Sequence, residues 1–161
     1  MASLFIMRGL PGSGKSFLAK TLWRMTDASV VFSTDDYFIS GNGEYIFDRN
    51  KLGHYHKLNQ ERTRTFLADN FDVFVDNTNI TWKEIKTYVD IGVEYKSSIY
   101  VVEAATPWGK NPEECFKRNS HGVPLEAITR MYNNFASKES VLKNMEGNVF
   151  FHAYLTVGVD E

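Results

Sequence analysis

The sequence has little cysteine, no long apolar run and no strong excess of charge of either sign. Cys115 is the only cysteine among 161 residues, which excludes an internal disulfide and a four-cysteine zinc site. No stretch approaches the roughly 18 apolar residues that span a bilayer, and the apolar run at residues 1–7 lacks the basic leader and cleavage site of a signal peptide. We therefore expect an intracellular protein, cytoplasmic or nuclear, without a membrane partner.

The charge balance limits the kinds of partner. Eighteen Lys and Arg residues against twenty Asp and Glu residues give a formal charge of −2, unlike a protein that holds duplex nucleic acid through an overall positive field. A nucleic-acid partner would need a local basic site, and nothing in the sequence identifies a protein partner. A hydrophobic fraction of 43% excludes a mainly disordered chain, and the length predicts one domain over residues 1–161.

Apolar and amphipathic segments alternate along the chain. The predicted strands are residues 3–8, 30–33, 71–76, 97–104 and 148–154. The first predicted helix begins at residue 15. Four further helices are predicted over residues 47–70, 81–95, 111–119 and 124–135. Alternation with apolar strands predicts an α/β fold, in which helices cover both faces of a parallel sheet.

The segment between the first strand and the first helix satisfies the phosphate-loop pattern G-x-x-x-x-G-K-[ST]. Backbone N–H groups of such a loop converge on phosphate oxygens, Lys15 can reach the terminal phosphates, and Ser16 can ligate Mg²⁺. A turn that only reverses the chain would leave Lys15 and Ser16 unexplained. We therefore expect a nucleoside triphosphate with Mg²⁺ to bind Gly9, Leu10, Pro11, Gly12, Ser13, Gly14, Lys15 and Ser16.

Acidic residues follow the second and third predicted strands, at the sheet edge where the loop also lies. Asp35 and Asp36 have the chemistry needed for a general base and for a second-shell partner of the metal ion. The alternative is that either residue caps a turn or a helix. If the strand order is 2-3-1-4-5, Asp76 or Asn77 could hold a water on Mg²⁺ while Thr78 faces the acceptor. The alternative for this second group is ordinary turn chemistry at a strand end.

The residues around 111–136 form a candidate lid. Arg118, near the end of the predicted helix 111–119, could neutralise charge on a transferred phosphoryl group, or it could simply stabilise the helix C-terminus. His54 and His56 stand two residues apart, so they do not share a helix face, and no third metal ligand is evident.

Together these motifs resemble the 5′-hydroxyl polynucleotide kinases of the phage type. The sequence looks closest to the P-loop kinase branch found in some animal and viral proteins, and more distantly to the P-loop domain of 2′,3′-cyclic nucleotide phosphodiesterases. The resemblance covers about residues 4–151 and implies a three-layer P-loop kinase fold with a five-stranded parallel sheet ordered 2-3-1-4-5 and a helical lid. It rests on Gly9–Ser16, Ser33–Tyr37, Asp76–Asn79, Lys117–Ser120 and Val123–Pro124.

The resemblance also implies roles for individual residues. Lys15 and Ser16 would hold ATP and Mg²⁺, Asp35 would be the base for the 5′-hydroxyl, and Arg118 would contact the transferred phosphate. Thr78 and Val123 match positions that line the acceptor site. We add Asp36 and Asn77 as candidate acceptor contacts and Asp76 as a candidate metal ligand.

The sequence departs from the family pattern at two positions. Phe38 stands where the phage-type enzymes have an arginine that contacts substrate phosphate, and Asn77 stands where they have aspartate. The expected function is an ATP-dependent kinase acting on 5′-hydroxyl ends of DNA or RNA. The alternatives are a kinase for a small nucleoside or sugar acceptor, and a nucleotide-binding module with little turnover.

Overall fold

A single sheet organises the chain in the computed structural model, which describes residues 1–158. All neighbouring strands are parallel, and their order is β2-β3-β1-β4-β5, which confirms the predicted order 2-3-1-4-5. The strands are β1 (Ser3–Arg8), β2 (Ser29–Phe32), β3 (Asp72–Val75), β4 (Ser98–Ala104) and β5 (Phe151–Val157).

Helices connect the strands and cover the sheet. The α-helices are α1 (Lys15–Arg24), α2 (Leu52–Ala68), α3 (Trp82–Glu94), α4 (Pro112–Arg118), α5 (Leu125–Asn133) and α6 (Lys138–Met145). Two short 3₁₀ helices cover Thr34–Phe38 and Arg49–Lys51. No helix within residues 1–158 has the length and apolar character needed to cross a bilayer.

Side chains alternate between the two faces of the sheet, as the pleat of a strand requires. On one face, Leu4 and Ile6 of β1 pack in a core with residues of α2, α3 and α6. On the other face, Met7 packs with Leu18 and Ala19 of α1. A smaller apolar cluster lies under α4 and α5. The sheet thus forms the middle layer of three, and the phosphate loop leaves it at the carboxyl end of the central strand.

Arg8, the last residue of β1, is completely buried. Its guanidinium donates hydrogen bonds to the backbone carbonyls of Asn79 (2.8 Å), Ile80 (2.8 Å) and Ala136 (3.0 Å), and to the hydroxyl of Tyr154 (2.9 Å). One side chain therefore ties β1 to the segment after β3, to the α5–α6 connection and to β5.

Some predicted boundaries were wrong for local reasons. The predicted helix 47–70 begins as an α-helix only at Leu52, because the Asp48 side chain caps the preceding 3₁₀ turn at the N–H of Asn50. The strand predicted at 148–154 begins at Phe151, since Asn148 accepts a hydrogen bond from the N–H of Phe150 in a turn. Helix α6 was not predicted from the sequence.

Candidate active site

The phosphate loop occupies backbone conformations that favour glycine. Gly12 and Gly14 have φ of 83° and 95°, in the left-handed region. A Cβ at Gly12 would stand 2.1 Å from the carbonyl oxygen of Cys115 in α4, so no side chain fits between the loop and α4. The glycines of the motif therefore serve the fold of the loop as well as access for a phosphate.

Two side chains after β4 hold the loop by its carbonyl groups. Thr106 Oγ1 donates to the carbonyl of Ser13 (2.7 Å), and Trp108 Nε1 donates to the carbonyl of Gly12 (2.9 Å). Among the described residues, the buried Oγ of Ser13 has no hydrogen-bond partner. A buried polar atom without a partner in the protein is costly, so this hydroxyl fits a loop built to receive phosphate oxygens.

Lys15 forms an ion pair with Asp76 at the end of β3. Its Nζ lies 3.0 Å from Asp76 Oδ1, and the two side chains are only 11% and 7% exposed. Because β3 is hydrogen-bonded beside β1, the sheet itself brings these residues together. A charged lysine held beside the loop is available to terminal phosphates.

Asp35 lies in the 3₁₀ helix that follows β2, with both carboxylate oxygens engaged. Tyr45 Oη donates to Asp35 Oδ1 (3.0 Å), and Nδ1 of His121 lies 3.1 Å from Asp35 Oδ2. The rings of Tyr45 and His121 stack with centroids 4.1 Å apart. Burial, together with the negative charge of Asp35, raises the pKa of the Tyr45 phenol, which keeps it a hydrogen-bond donor. The carboxylate of Asp35 therefore has a fixed orientation.

Asp36 is engaged by groups other than those that contact Asp35. Its carboxylate accepts from the N–H of Ser33 (3.0 Å) in a capping box and forms a 2.8 Å ion pair with Arg62 of α2. The guanidinium of Arg62 also lies over the rings of Phe32 and Tyr37. Asp36 thus fixes the turn that carries Asp35, which is the capping role that the sequence offered as an alternative. Asp36 also lines the main cavity.

Asn77 joins the ends of β2 and β3. Its side-chain oxygen accepts from the N–H of Thr34 (2.9 Å), and its Nδ2 lies 3.4 Å from Tyr88 Oη. Asn77 lines a cleft of about 370 Å³ beside α3. Thr78 lines both that cleft and the main cavity, and its carbonyl accepts from the N–H of Gly9 (3.1 Å).

Arg118 is the last residue of α4, and Val123 lies in the α4–α5 connection, both within the segment predicted as a lid. The Arg118 guanidinium lies 3.7 Å above the ring of Trp108, and its Nε is 4.0 Å from Glu114 Oε2. Val123 donates its N–H to Asn119 Oδ1 (2.8 Å), which fixes the connection. Arg118 therefore stacks on the same tryptophan that holds the phosphate loop.

One cavity of about 730 Å³ brings most of the predicted site together. The predicted residues that line it are Pro11, Gly12, Lys15, Ser16, Asp35, Asp36, Asp76, Thr78 and Val123. Arg118 lines an adjoining cavity of about 250 Å³, to which Gly12, Lys15 and Ser16 also contribute. Of the predicted acceptor contacts, Asn77 is the one that the structure places outside the main cavity.

The hard oxygen ligands that suit Mg²⁺ are present, but a cage of protein ligands is not. Ser16 and Asp76 line the same cavity beside the loop. Within residues 1–158, no three His, Cys, Asp or Glu side chains cluster as a metal site. This fits an ion that takes only one or two protein ligands and completes its shell with phosphates and water. His56 lies outside the group of Ser16 and Asp76, with its Nδ1 3.0 Å from Thr34 Oγ1.

Sequence reasoning missed three residues around Asp35 and Asp36. His121 was visible only as part of the candidate lid, without a role. Tyr45 lies in a turn-rich segment and Arg62 in a polar helix, and both reach the site only through tertiary packing. No local pattern in the sequence pointed to these two residues.

Comparisons with known proteins place the chain among P-loop proteins. The family model described as AAA domain matches residues 4–137. NEDD4-binding protein 2 of Homo sapiens is 42% identical over 147 residues, which is 91% of this chain and 8% of that protein. The 2′,3′-cyclic-nucleotide 3′-phosphodiesterase of Mus musculus is 30% identical over 130 residues, which is 80% of this chain and 30% of that protein. The chain thus spans less than a third of either relative.

The fold recurs in a solved structure. A chain of the Pnkp1/Rnl/Hen1 RNA repair complex superposes with a TM-score of 0.67 at 22% identity, over 92% of this chain and 47% of that one. At this identity the likeness concerns the fold. The relation to cyclic nucleotide phosphodiesterases that the motifs predicted is confirmed by the sequence comparison.

Proposed function

Because this chain belongs to the AAA domain family and has the P-loop kinase fold, we propose that it is an ATP-dependent polynucleotide 5′-hydroxyl kinase. It would transfer the γ-phosphoryl group of ATP to 5′-hydroxyl ends of DNA or RNA. The observation that carries the proposal is that Asp35, held by Tyr45 and His121, lines the same cavity as Lys15 and Ser16. A base for a hydroxyl thus stands beside a loop suited to a triphosphate.

On the donor side, the phosphate loop binds the triphosphate through its N–H groups and the Ser13 hydroxyl. Lys15 exchanges part of its contact with Asp76 for the β- and γ-phosphates. Ser16 and Asp76 hold Mg²⁺, directly or through water. When bound, the ion neutralises charge that develops on the phosphates during transfer.

On the acceptor side, Asp35 accepts the proton of the 5′-hydroxyl. The hydroxyl oxygen forms a bond to the γ-phosphorus as the bond from that phosphorus to the bridging oxygen breaks, and ADP leaves. Arg118 contacts the transferred phosphoryl group from the lid, which we place around residues 111–136 of a single domain over residues 1–161. Thr78 and Val123 line the acceptor, while Asp36 and Asn77 fix the strand ends beside it.

One observation favours a second candidate, a kinase for a small nucleoside or sugar acceptor. Phe38 is only 4% exposed and packs against the rings of Tyr45, Phe47 and Tyr55. The position where the phage-type enzymes have a phosphate-contacting arginine is therefore part of an aromatic core. A small acceptor without a neighbouring phosphate would not need that arginine.

The deciding experiment measures transfer of labelled γ-phosphate from ATP to matched 5′-hydroxyl and 5′-phosphate oligonucleotides, as DNA and as RNA. Labelling confined to 5′-hydroxyl strands, and lost in Lys15→Ala, supports the proposal. Absence of labelling on every strand, with ATP bound, would overturn it, and nucleosides and sugars tested in parallel decide the second candidate.

The role of Asp35 has its own test with a matched control. Asp35→Asn keeps the size of the side chain and should preserve ATP binding while lowering transfer by a factor of about 10² or more. Asp90→Asn removes one carboxylate on α3 that is 59% exposed and paired with Lys86, and it should keep the wild-type rate. Near wild-type transfer by Asp35→Asn would show that Asp35 is not the base.

A further inference from the structure

The main cavity extends well beyond the reacting groups, along one side of α1. Lys20, Trp23 and Arg24 of α1 line this part, together with residues 29–33 of β2 and its C-terminal end. Strand β2 is an edge strand of the sheet, so the groove between it and α1 opens to solvent. We call this part of the cavity the α1/β2 groove. It leads from Lys15 and Asp35 towards the C-terminal end of α1.

Lys20 and Arg24 form a local basic site on a chain with a formal charge of −2. Both side chains are exposed, and neither forms an ion pair with any residue within 1–158. They stand four residues apart on α1, where two like charges destabilise a helix. The helix dipole favours Arg24 in the last turn of α1 but not Lys20 in its middle, so helix stability does not explain the pair as a whole, whereas an anionic ligand in the groove would.

The spacing of the two cations suits a chain of phosphates. The rise of about 1.5 Å per residue places Lys20 about 7 Å and Arg24 about 13 Å beyond Lys15 along the helix axis. Successive steps of about 6 Å are close to the length of one extended nucleotide. The groove thus offers one positive charge for each of two phosphates downstream of a hydroxyl at Asp35.

Trp23 lies between these cations and is held in a fixed orientation. Its Nε1 donates to the carbonyl of Ser29 (3.0 Å), while 41% of the residue remains exposed. Positions 20, 23 and 24 share one face of a helix. A tryptophan fixed by its ring nitrogen and open on its face is a platform for a base of a single strand.

We propose that the α1/β2 groove binds the nucleotides downstream of the 5′ terminus of a single-stranded acceptor. Lys20 and Arg24 contact successive phosphates, and Trp23 stacks on a base. This inference rests on the proposed function, because it names the acceptor class of the same site. It makes a strand of at least three nucleotides a better acceptor than a mononucleotide.

The test compares KM for a nucleoside 3′-monophosphate with KM for a six-nucleotide 5′-hydroxyl strand. The wild-type protein should favour the strand. The double variant Lys20→Gln/Arg24→Gln should raise the ratio of the strand KM to the mononucleotide KM at least tenfold, and Trp23→Ala about fivefold or more. In a plot of the logarithm of the strand-binding constant against the logarithm of the salt concentration, the slope for the double variant should be less steep by about 1.4, as expected for two lost phosphate contacts.

Lys86→Gln/Lys143→Gln is the matched control, since it removes two exposed positive charges from α3 and α6 on the other face of the sheet. An equal ratio of the strand KM to the mononucleotide KM in the groove variant and in this control would overturn the groove proposal. If the wild-type protein labels no acceptor, the kinase proposal fails, and fluorescence anisotropy with the labelled six-nucleotide strand decides the groove separately. Equal affinity of the wild-type protein and the groove variant would then overturn it.

Discussion

Replacement of Arg8 by methionine removes a buried cation that joins four separated parts of the chain. Three backbone carbonyls, those of Asn79, Ile80 and Ala136, lose a donor within 3.0 Å, and Tyr154 loses a neighbouring cation. Arg8 is fully buried, so water does not readily replace these bonds. The substitution keeps an apolar stem of similar length, which limits the cavity term.

The expected loss follows from two opposing contributions. The Ile80 carbonyl keeps a second donor, the N–H of Ala136 (2.8 Å), so only the carbonyls of Asn79 and Ala136 lose their donor within residues 1–158 without a replacement. Each such acceptor costs about 1–3 kcal/mol, so the two correspond to roughly 2–6 kcal/mol. Relief of the cost of burying the guanidinium offsets part of this, which places the loss of unfolding free energy at about 2–4 kcal/mol. Such a loss is a large fraction of the roughly 5–15 kcal/mol that stabilises a domain.

Urea denaturation followed by circular dichroism would measure this loss for Arg8→Met. Arg130→Met on α5 is the control, because Arg130 is exposed and its replacement should change the free energy of unfolding by less than about 0.5 kcal/mol. A loss below about 1 kcal/mol for Arg8→Met, with an unchanged urea slope, would refute the assigned role of the guanidinium.

Three further predictions concern the loop, a histidine and the proposed base. Gly12→Ala should weaken ATP binding at least tenfold by calorimetry, since its Cβ would meet a carbonyl of α4 at 2.1 Å; Gly41→Ala, with open space, should not. Partial desolvation lowers the pKa of His56, so protonation favours the unfolded chain and stability should fall as the pH drops below about 6.5. His56→Gln should reduce that fall in urea midpoints between pH 7 and 5, and an unchanged fall would contradict this assignment. Tyr45→Phe removes a donor to the proposed base and should lower kcat about tenfold; an unchanged kcat would contradict its positioning role.

The sheet and the phosphate loop could be predicted from the sequence because their signals are local. The apolar strands and the loop pattern each occupy a few consecutive residues, and alternation with helices then determines a parallel sheet. Helix α6 was missed because it is short and buries only Val141 and Met145. A single pair of apolar positions gives little periodicity.

The surroundings of Asp35 could not be predicted for a different reason. Tyr45 and His121 approach it from 10 and 86 residues away, and their contact depends on how the turn and the lid dock. Asp36 shows the same limit, because its ion pair with Arg62 spans 26 residues. Both acids line the main cavity, but their adjacency in the sequence gives no indication of which partners each carboxylate engages.

The hydrogen bonds from Thr106 and Trp108 have a consequence for the energetics of nucleotide binding. They tie the carbonyl groups of Gly12 and Ser13 to the segment after β4, so contacts within the protein restrain the loop. Little conformational entropy is then lost when a triphosphate binds, and its contacts are not offset by the ordering of a loose segment. Because of this preorganisation, the eight-residue loop can bind phosphate without first having to become ordered.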